Sequence, residues 1–324
     1  MAREPALVSV VAPMYEEQDT ASAFVNRARE ALEGVDFELV IVDDGSRDGT
    51  GAALAAVAAA DERVKVLTLS RNFGHQAALT AGLDHAAGDV VVMMDGDLQD
   101  PPELIPTMVD RWREGADVVY AVREAREGET AFKRTTARWF YKSFRRMAQI
   151  DLVPESGDFR LMGRQALDAL LAMPERNRFL RGMTVWVGFT QTAVTFRRDA
   201  RTAGRTKYTL PKMLRFSFDA ITSFSHAPLQ WATMLGFGCS LLAFLGIPLT
   251  VVARYTDQFV PGVPSTILIV LLLGGIQLIT VGIIGEYVGR IYDEVKRRPL
   301  YVVRDRVNVA APDGGPAHPP AERL

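Results

Sequence analysis

Two acids one residue apart, Asp95 and Asp97, close the run Val90-Val91-Val92-Met93-Met94-Asp95-Gly96-Asp97-Leu98-Gln99-Asp100-Pro101-Pro102-Glu103. The five apolar residues, three of them valine, read as a strand covered on both faces, and Gly96 with Pro101-Pro102 supplies the turn chemistry that ends it. The acids therefore stand at a strand's carboxyl end, where open α/β sheets bind ligands. Magnesium and manganese take oxygen donors, often with only one or two protein carboxylates and the rest from phosphate and water. Asp95 and Asp97 suit such a cation shared with a nucleotide diphosphate, with Gln99 as a further oxygen donor. An isolated Asp-x-Asp is more often an acidic loop capping a helix, here one starting at Pro102, because motifs this short recur by chance. The surroundings have to decide.

What must position these acids is a sheet. Apolar runs at 7–12, 37–42, 64–69, 90–94 and 118–122 alternate with alanine-rich or amphipathic segments, which predicts an α/β fold, a mainly parallel sheet with helices on both faces. At 324 residues the chain exceeds one ordinary domain, so a catalytic domain with an appendage is expected. Residues 130–149 read as a basic amphipathic helix, with Lys133, Arg134, Arg138, Lys142, Arg145 and Arg146 among Phe132, Trp139, Phe140, Tyr141 and Phe144. Such a segment is either a solvated face or a contact with anionic membrane lipid. Residues 210–224 repeat the theme as an interfacial helix, and the Pro-, Gly- and Ala-rich tail after Asn308 is expected to be disordered.

The appendage is apolar. Residues 229–253 and 258–285 carry no charge, and each is long enough as a helix to cross a hydrocarbon layer of roughly 30 Å. Lys207, Lys212 and Arg215 precede the first span, and Arg290, Lys296, Arg297 and Arg298 follow the second. Only Arg254 lies between them, so both flanks are expected in the cytoplasm, on a multi-pass protein of the cell inner membrane. Pro248 is expected to kink the first span, while Gly274, Gly275, Gly282, Gly285 and Gly289 admit close helix contacts and hence a homo-oligomer. A net charge of −2 gives no support to nucleic-acid binding. The single Cys239 excludes an intrachain disulfide. No signal peptide is read at the amino terminus, where a short apolar run meets Pro13, Glu16 and Glu17.

Several motifs follow one another at the ends of these strands: Pro13-Met14-Tyr15-Glu16-Glu17, Val42-Asp43-Asp44-Gly45-Ser46-Arg47-Asp48-Gly49-Thr50, Leu69-Ser70-Arg71-Asn72-Phe73-Gly74 and the Asp95 to Glu103 run. In this order they resemble the family-two nucleotide-sugar glycosyltransferases of GT-A (Rossmann-like) fold. Gly157-Asp158-Phe159-Arg160-Leu161-Met162, Arg201-Thr202-Ala203-Gly204-Arg205-Thr206-Lys207-Tyr208 and Glu286-Tyr287-Val288-Gly289-Arg290-Ile291-Tyr292 narrow the resemblance to polyprenyl-phosphate glycosyltransferases. Among these the bactoprenol glucosyltransferases are most similar, and the dolichol-phosphate mannose synthases more distantly so. The resemblance extends to about Arg304. Glu16 departs from it, since such proteins commonly carry Asn after the aromatic. The implied organisation is a cytoplasmic catalytic domain at 1–206, an interfacial helix at 207–228, two transmembrane helices at 229–289 and a cytoplasmic segment at 290–324.

The resemblance also implies roles. Pro13, Tyr15, Glu17, Asp43, Asp44, Arg71, Asp95, Gly96 and Asp97 would hold a nucleotide sugar. Turn formation and helix capping explain Asp43-Asp44-Gly45-Ser46 equally well, and the two readings are compatible. Asp95, Asp97 and Gln99 would hold Mg2+ or Mn2+, and Arg123, Arg134, Arg138, Arg201 and Lys207 would hold a polyprenyl phosphate acceptor. Asp97, Asp158, Arg201 and Lys207 form the implied catalytic set. A lipid phosphate is already largely a dianion at neutral pH, its second pKa being about 6, so Asp158 is open to a positioning role as well as that of a base. Glucose from UDP-glucose is the first choice of donor, with GDP-mannose, UDP-N-acetylhexosamine and an aminoarabinose donor as alternatives. A processive polysaccharide synthase ranks lower, because Thr135-Thr136-Ala137-Arg138-Trp139 stands in place of Gln-x-x-Arg-Trp. A non-catalytic membrane scaffold on the same fold is the remaining alternative.

Overall fold

The computed structural model describes residues 3–123, 156–196, 227–255 and 262–309. The chain runs β1 (Val8–Met14), α1 (Ala21–Ala31), β2 (Phe37–Asp43), α2 (Thr50–Ala60), β3 (Val64–Leu69), α3 (His75–His85) and β4 (Val90–Met93). A 3-10 turn (Pro102–Leu104), α4 (Ile105–Arg113), β5 (Val118–Arg123), β6 (Ser156–Gly163), α5 (Arg164–Leu171), α6 (Leu180–Trp186) and β7 (Gln191–Phe196) follow. Then come α7 (Ala227–Tyr255), α8 (Val263–Val295) and β8 (Val303–Val307).

The strands make one sheet of order β7-β5-β6-β4-β1-β2-β3-β8. The expected mainly parallel sheet is present: only β6 and β8 run against the rest. Every residue of β1, β2 and β4 is buried, the consequence of helices covering both faces. Val8, Val10, Ala12 and Met14 join Phe24, Val25 and Ala28 of α1 and Leu54 and Ala58 of α2 in one core. On the other face α3 lies so close that a Cβ at Gly82 would stand 2.3 Å from Val11 Cγ1 and 3.1 Å from Val42 Cγ2. Successive strands run β1, β2, β3 to one side and then return to β4 on the other side of β1, so the gap between β1 and β4 is the topological switch point.

One strand was not expected. Val303–Val307 pairs antiparallel with β3, Leu67 opposite Arg306 and Thr68 opposite Asp305, and the Ser70 N–H donates to Val302 O at 2.9 Å. Beyond it, Asn308 Nδ2 donates to the carbonyls of Ala58 (2.7 Å) and Val64 (2.9 Å), tying the strand to the end of α2. The sheet thus includes residues from beyond both apolar helices, which a catalytic domain ending at 206 leaves out. The sequence pattern hides this strand because Arg304, Asp305 and Arg306 read as a loop; the hydrogen-bonding edge of β3 supplies what local propensity lacks.

Among the described residues the second unit is built of α7 and α8, which pack against each other. They are 29 and 33 residues long, and the stretches Pro228–Gly246 and Leu272–Val295, of mean hydropathy 1.4 and 1.5, are long and apolar enough to cross a membrane. Phe237, Leu242, Phe244, Leu278 and Ile279 are exposed on them, as a hydrocarbon solvent requires and water does not favour. Pro248 lies inside α7, and α8 continues past the uncharged stretch to Val295. A Cβ at Gly274, Gly275, Gly282, Gly285 or Gly289 would meet nothing within 4 Å. Residues 130–149, 210–224 and the tail from 310 lie outside the described residues.

Candidate active site

The acids of the Asp-x-Asp run stand at the switch point. The Met94 N–H donates to Val11 O at 3.1 Å, which carries Asp95 out beside the end of β1. A Cβ at Gly96 would lie 2.8 Å from Met14 Cγ and 3.1 Å from Pro13 O, so the loop lies directly on Pro13. Leu98 has φ of 61°, a left-handed backbone that a leucine adopts at a cost and that marks a loop held by its surroundings. Asp97 receives the Gln99 backbone N–H at 3.1 Å and the Gln99 side-chain Nε2 at 2.5 Å. The amide's other end, Gln99 Oε1, is buried without a hydrogen-bond partner.

Asp158 joins them through the sheet. Met93 of β4 pairs with Arg160 of the antiparallel β6, which brings Asp158 level with Asp95. His75, the first residue of α3, stands between the two acids, its Nε2 3.5 Å from Asp95 Oδ1 and 3.3 Å from Asp158 Oδ2. Gln76 Nε2 donates to the same Asp158 oxygen at 3.2 Å, and Arg181 of α6 pairs with Oδ1 at 3.5 Å. Arg181 is itself held by Arg160, 2% exposed, which donates to Arg181 O at 3.1 Å and to Thr184 Oγ1.

The electrostatics separate the two acids. Burial and the charges of Asp100, Asp158 and Asp97 push Asp95 up to about 6, against the pull of His75. Burial also acts to raise Asp158, but the His75 hydrogen bond and the charges of Arg181, His75 and Arg160 outweigh it and hold this carboxyl far below the usual carboxylate range. Burial lowers the His75 pKa, yet its bond to Asp158 and the charges of Asp95, Asp158 and Asp44 raise it overall. Arg160 is drawn down to about 10 by burial and by Arg181.

The remaining expected residues fall in three groups. Asp43 and Asp44 are buried at the end of β2: Asp43 Oδ1 accepts the Ser46 N–H (2.9 Å), and Asp44 accepts the N–H groups of Phe73 (2.7 Å) and Gly74 (2.9 Å). Both carboxylates therefore do structural work in turns, and Asp44 joins the second loop to the third. Gly45, at φ of 69°, lies where a Cβ would stand 2.4 Å from the Arg71 carbonyl carbon, so these loops touch only because it is glycine. Tyr15 is exposed, Glu17 accepts the Thr20 hydroxyl at 2.8 Å, and the Arg71 guanidinium covers the Phe73 ring at 4.1 Å. Arg123, expected on the acceptor phosphate, pairs internally with buried Asp100 at 3.4 Å. Arg134, Arg138, Arg201 and Lys207 lie outside the described residues.

His75, Gln76 and Arg181 were not expected at the site. The third motif stops one residue short of His75, and the rule that loops at strand carboxyl ends converge was the signal available for it. Arg181, on a short helix 23 residues after Asp158, carries no such signal.

Residues 9–171 match the family model for glycosyl transferase family 2. With carboxylates gathered at the switch point of a mainly parallel sheet, the match makes this protein a glycosyltransferase of GT-A type. The chain belongs to glycosyl transferase family 2. It is 48% identical over 299 residues to the uncharacterized glycosyltransferase YkcC of Bacillus subtilis, covering 91% of this chain and 93% of that protein. It is 40% identical over 300 residues to the SfII prophage-derived bactoprenol glucosyl transferase of Shigella flexneri, covering 92% and 97%. Among solved structures, glucosyl-3-phosphoglycerate synthase from Mycobacterium tuberculosis in complex with Mn2+, uridine diphosphate and phosphoglyceric acid is 23% identical. Its TM-score is 0.47, with 66% of this chain and 75% of that one covered, a likeness too distant for inference between residues.

Proposed function

We propose that this glycosyltransferase moves a hexose, glucose from UDP-glucose, onto a polyprenyl phosphate at the cytoplasmic face of the cell inner membrane, with inversion at the anomeric carbon. The observation that carries the reading is the state of Asp158. Donors from His75, Gln76 and Arg181 occupy both of its oxygens and its proton affinity is far below neutral, which makes it a poor base. A hydroxyl acceptor would need a base, whereas a phosphate monoester with a second pKa of about 6 attacks as it stands. Relatives named bactoprenol glucosyl transferase, at 40% identity over nearly the whole chain, support the same acceptor and sugar.

Asp95 and Asp97, with the unpartnered Gln99 Oε1, fit Mg2+ or Mn2+. Burial beside three other acids leaves Asp95 with a repulsion that a cation would relieve. Among the described residues no group of three or more His, Cys, Asp or Glu is arranged to hold a metal, so diphosphate and water would complete the shell. Bound there, the ion supplies neutralising charge for the departing nucleoside diphosphate.

In this reading Pro13, Tyr15, Glu17, Asp43 and Asp44 hold the donor's base and ribose, and Arg71 and Gly96 also contact the donor. Arg134, Arg138, Arg201 and Lys207 bind the acceptor phosphate, joined by the part-exposed guanidinium of Arg123. Displacement by the phosphate from the face opposite the leaving group gives a β-linked product from an α-linked donor.

The pairing of β8 with β3 supports the membrane topology of this reading. A chain that leaves after β7 and returns to the edge of the same sheet must cross a bilayer an even number of times, which α7 and α8 satisfy. In this reading the catalytic unit and both termini share the cytoplasmic side, as the basic residues flanking the two helices favour, and the open space around the α8 glycines suits self-association.

The test supplies membranes containing the protein with undecaprenyl phosphate and a panel of labelled donors, with and without a chelator. Label from UDP-glucose should enter the organic phase in a metal-dependent way. Label from GDP-mannose or another donor would reassign the sugar, and a water-soluble polymer would favour a processive synthase. No transfer from any donor would refute the reading.

A further inference from the structure

Gln76 reaches two elements with one side chain. Its Oε1 accepts the Leu180 N–H at 2.9 Å, and its Nε2 donates to Asp158 Oδ2 at 3.2 Å. Leu180 opens α6, and its N–H is among the first-turn donors that have no partner within the helix. Phe179, in the capping position, offers no side-chain acceptor. The amide of Gln76 does this instead, from 104 residues away. Because a backbone N–H can only donate, the orientation of the amide is settled: the oxygen faces Leu180 and the nitrogen must face Asp158.

The next residue of α6 is Arg181, which pairs with the other Asp158 oxygen. One amide therefore sets the position of the helix that supplies the cation and also the orientation of the carboxylate that receives it. A carboxylate held only by Arg181 at 3.5 Å and by His75, whose side chain is 43% exposed, could rotate about its Cβ–Cγ bond. Gln76 is half-buried and removes that freedom. The groups facing it are Asp158 from β6, Arg181 from α6 and His75 from its own helix, with Asp95 beyond His75.

We infer that Gln76 is a positioning residue, which fixes Asp158 and Arg181 in the one arrangement that supports sugar transfer. The inference rests on the assignment of Asp158 to the transfer site.

The experiment compares wild type, Gln76→Leu and Gln76→Glu as full-length protein in detergent, by transfer kinetics with varied UDP-glucose and undecaprenyl phosphate and by thermal unfolding. Gln76→Glu keeps an oxygen for the Leu180 N–H but turns a second oxygen, instead of a donor, toward Asp158. If Gln76 merely capped α6, Gln76→Glu would work and Gln76→Leu would not. The expected result is that both variants lose turnover by about 10- to 100-fold, Gln76→Glu at least as severely, with the donor KM within about twofold of wild type. Gln76→Glu should still unfold within a few degrees of wild type. Turnover of Gln76→Glu within about twofold of wild type, or a loss confined to donor KM, would overturn the inference and leave the transferase reading intact. Wild type that transfers no sugar would overturn both.

Discussion

Tyr301, beyond the second apolar helix, donates its hydroxyl to Asp84 near the end of α3 at 2.8 Å, across 217 residues of sequence. The helix whose first residues touch Asp158 is thus gripped at its far end by the segment that also forms β8. Burial and the Asp84 carboxylate hold the Tyr301 phenol above its ordinary pKa, so it remains a donor at physiological pH.

Removing this hydroxyl should destabilise the catalytic unit. Tyr301→Phe is expected to cost about 1.5–3 kcal/mol in urea unfolding at pH 7, the range for a hydrogen bond to a charged partner. A raised folded-state pKa gives stability that is complete below the unfolded value of about 10 and is lost above it. The gap between wild type and Tyr301→Phe should therefore narrow as pH rises past about 10. A gap that widened there would contradict the assignment.

Asp158→Asn should lower turnover by about 100-fold or more, because the variant presents Arg181 and His75 with no charge. Since Asp158 is ionised throughout the physiological range, raising the pH from about 6 to 9 should restore nothing. Recovery in alkali would instead identify Asp158 as the base.

Acid should weaken the fold through Glu38. This buried carboxylate accepts the Ser9 hydroxyl at 2.5 Å and the Ala87 N–H at 2.6 Å and pairs with Lys65. Burial acts to raise its pKa, but these partners outweigh burial and lower it. Its contribution is then complete above the unfolded value of about 4.3 and fades as pH falls through the folded one. Glu38→Gln should cost about 3 kcal/mol at pH 7 and progressively less below about pH 4. Equal costs at pH 7 and pH 3, measured by denaturant unfolding, would argue against it.

Glu16 has φ of 54°, a left-handed conformation that asparagine tolerates better than glutamate. This gives a physical meaning to the Asn that resembling proteins commonly carry there. Glu16→Asn should stabilise the protein by roughly 0.5–1 kcal/mol, visible as a higher unfolding midpoint, and the donor KM should not rise. A lower midpoint would assign Glu16 a structural bond that outweighs its strain.

Much of the sheet was legible because its strands are buried on both faces and so are almost continuously apolar, as in Val90–Met93 and in Val8–Met14, where Ser9 alone is polar. The Asp95 to Glu103 run was legible because its acids sit next to each other in sequence. Arg123 was legible only in part: its sequence suits a phosphate, but its pairing with buried Asp100 is visible only when β5 and the Pro101 loop are folded together. Gln76 showed nothing, since a glutamine in a helix is ordinary until its partners on β6 and α6 are known.

The amino-acid order alone determined the alternation of strand and helix, the Asp95 and Asp97 pair and the two apolar helices, since each depends on residues within a few positions of one another. Only the tertiary structure decided that His75, Gln76 and Arg181 converge on Asp158 and that Val303–Val307 completes the sheet. Those contacts join segments from 23 to more than 200 residues apart, and their partners are chosen by strand register and helix docking, which no local pattern encodes.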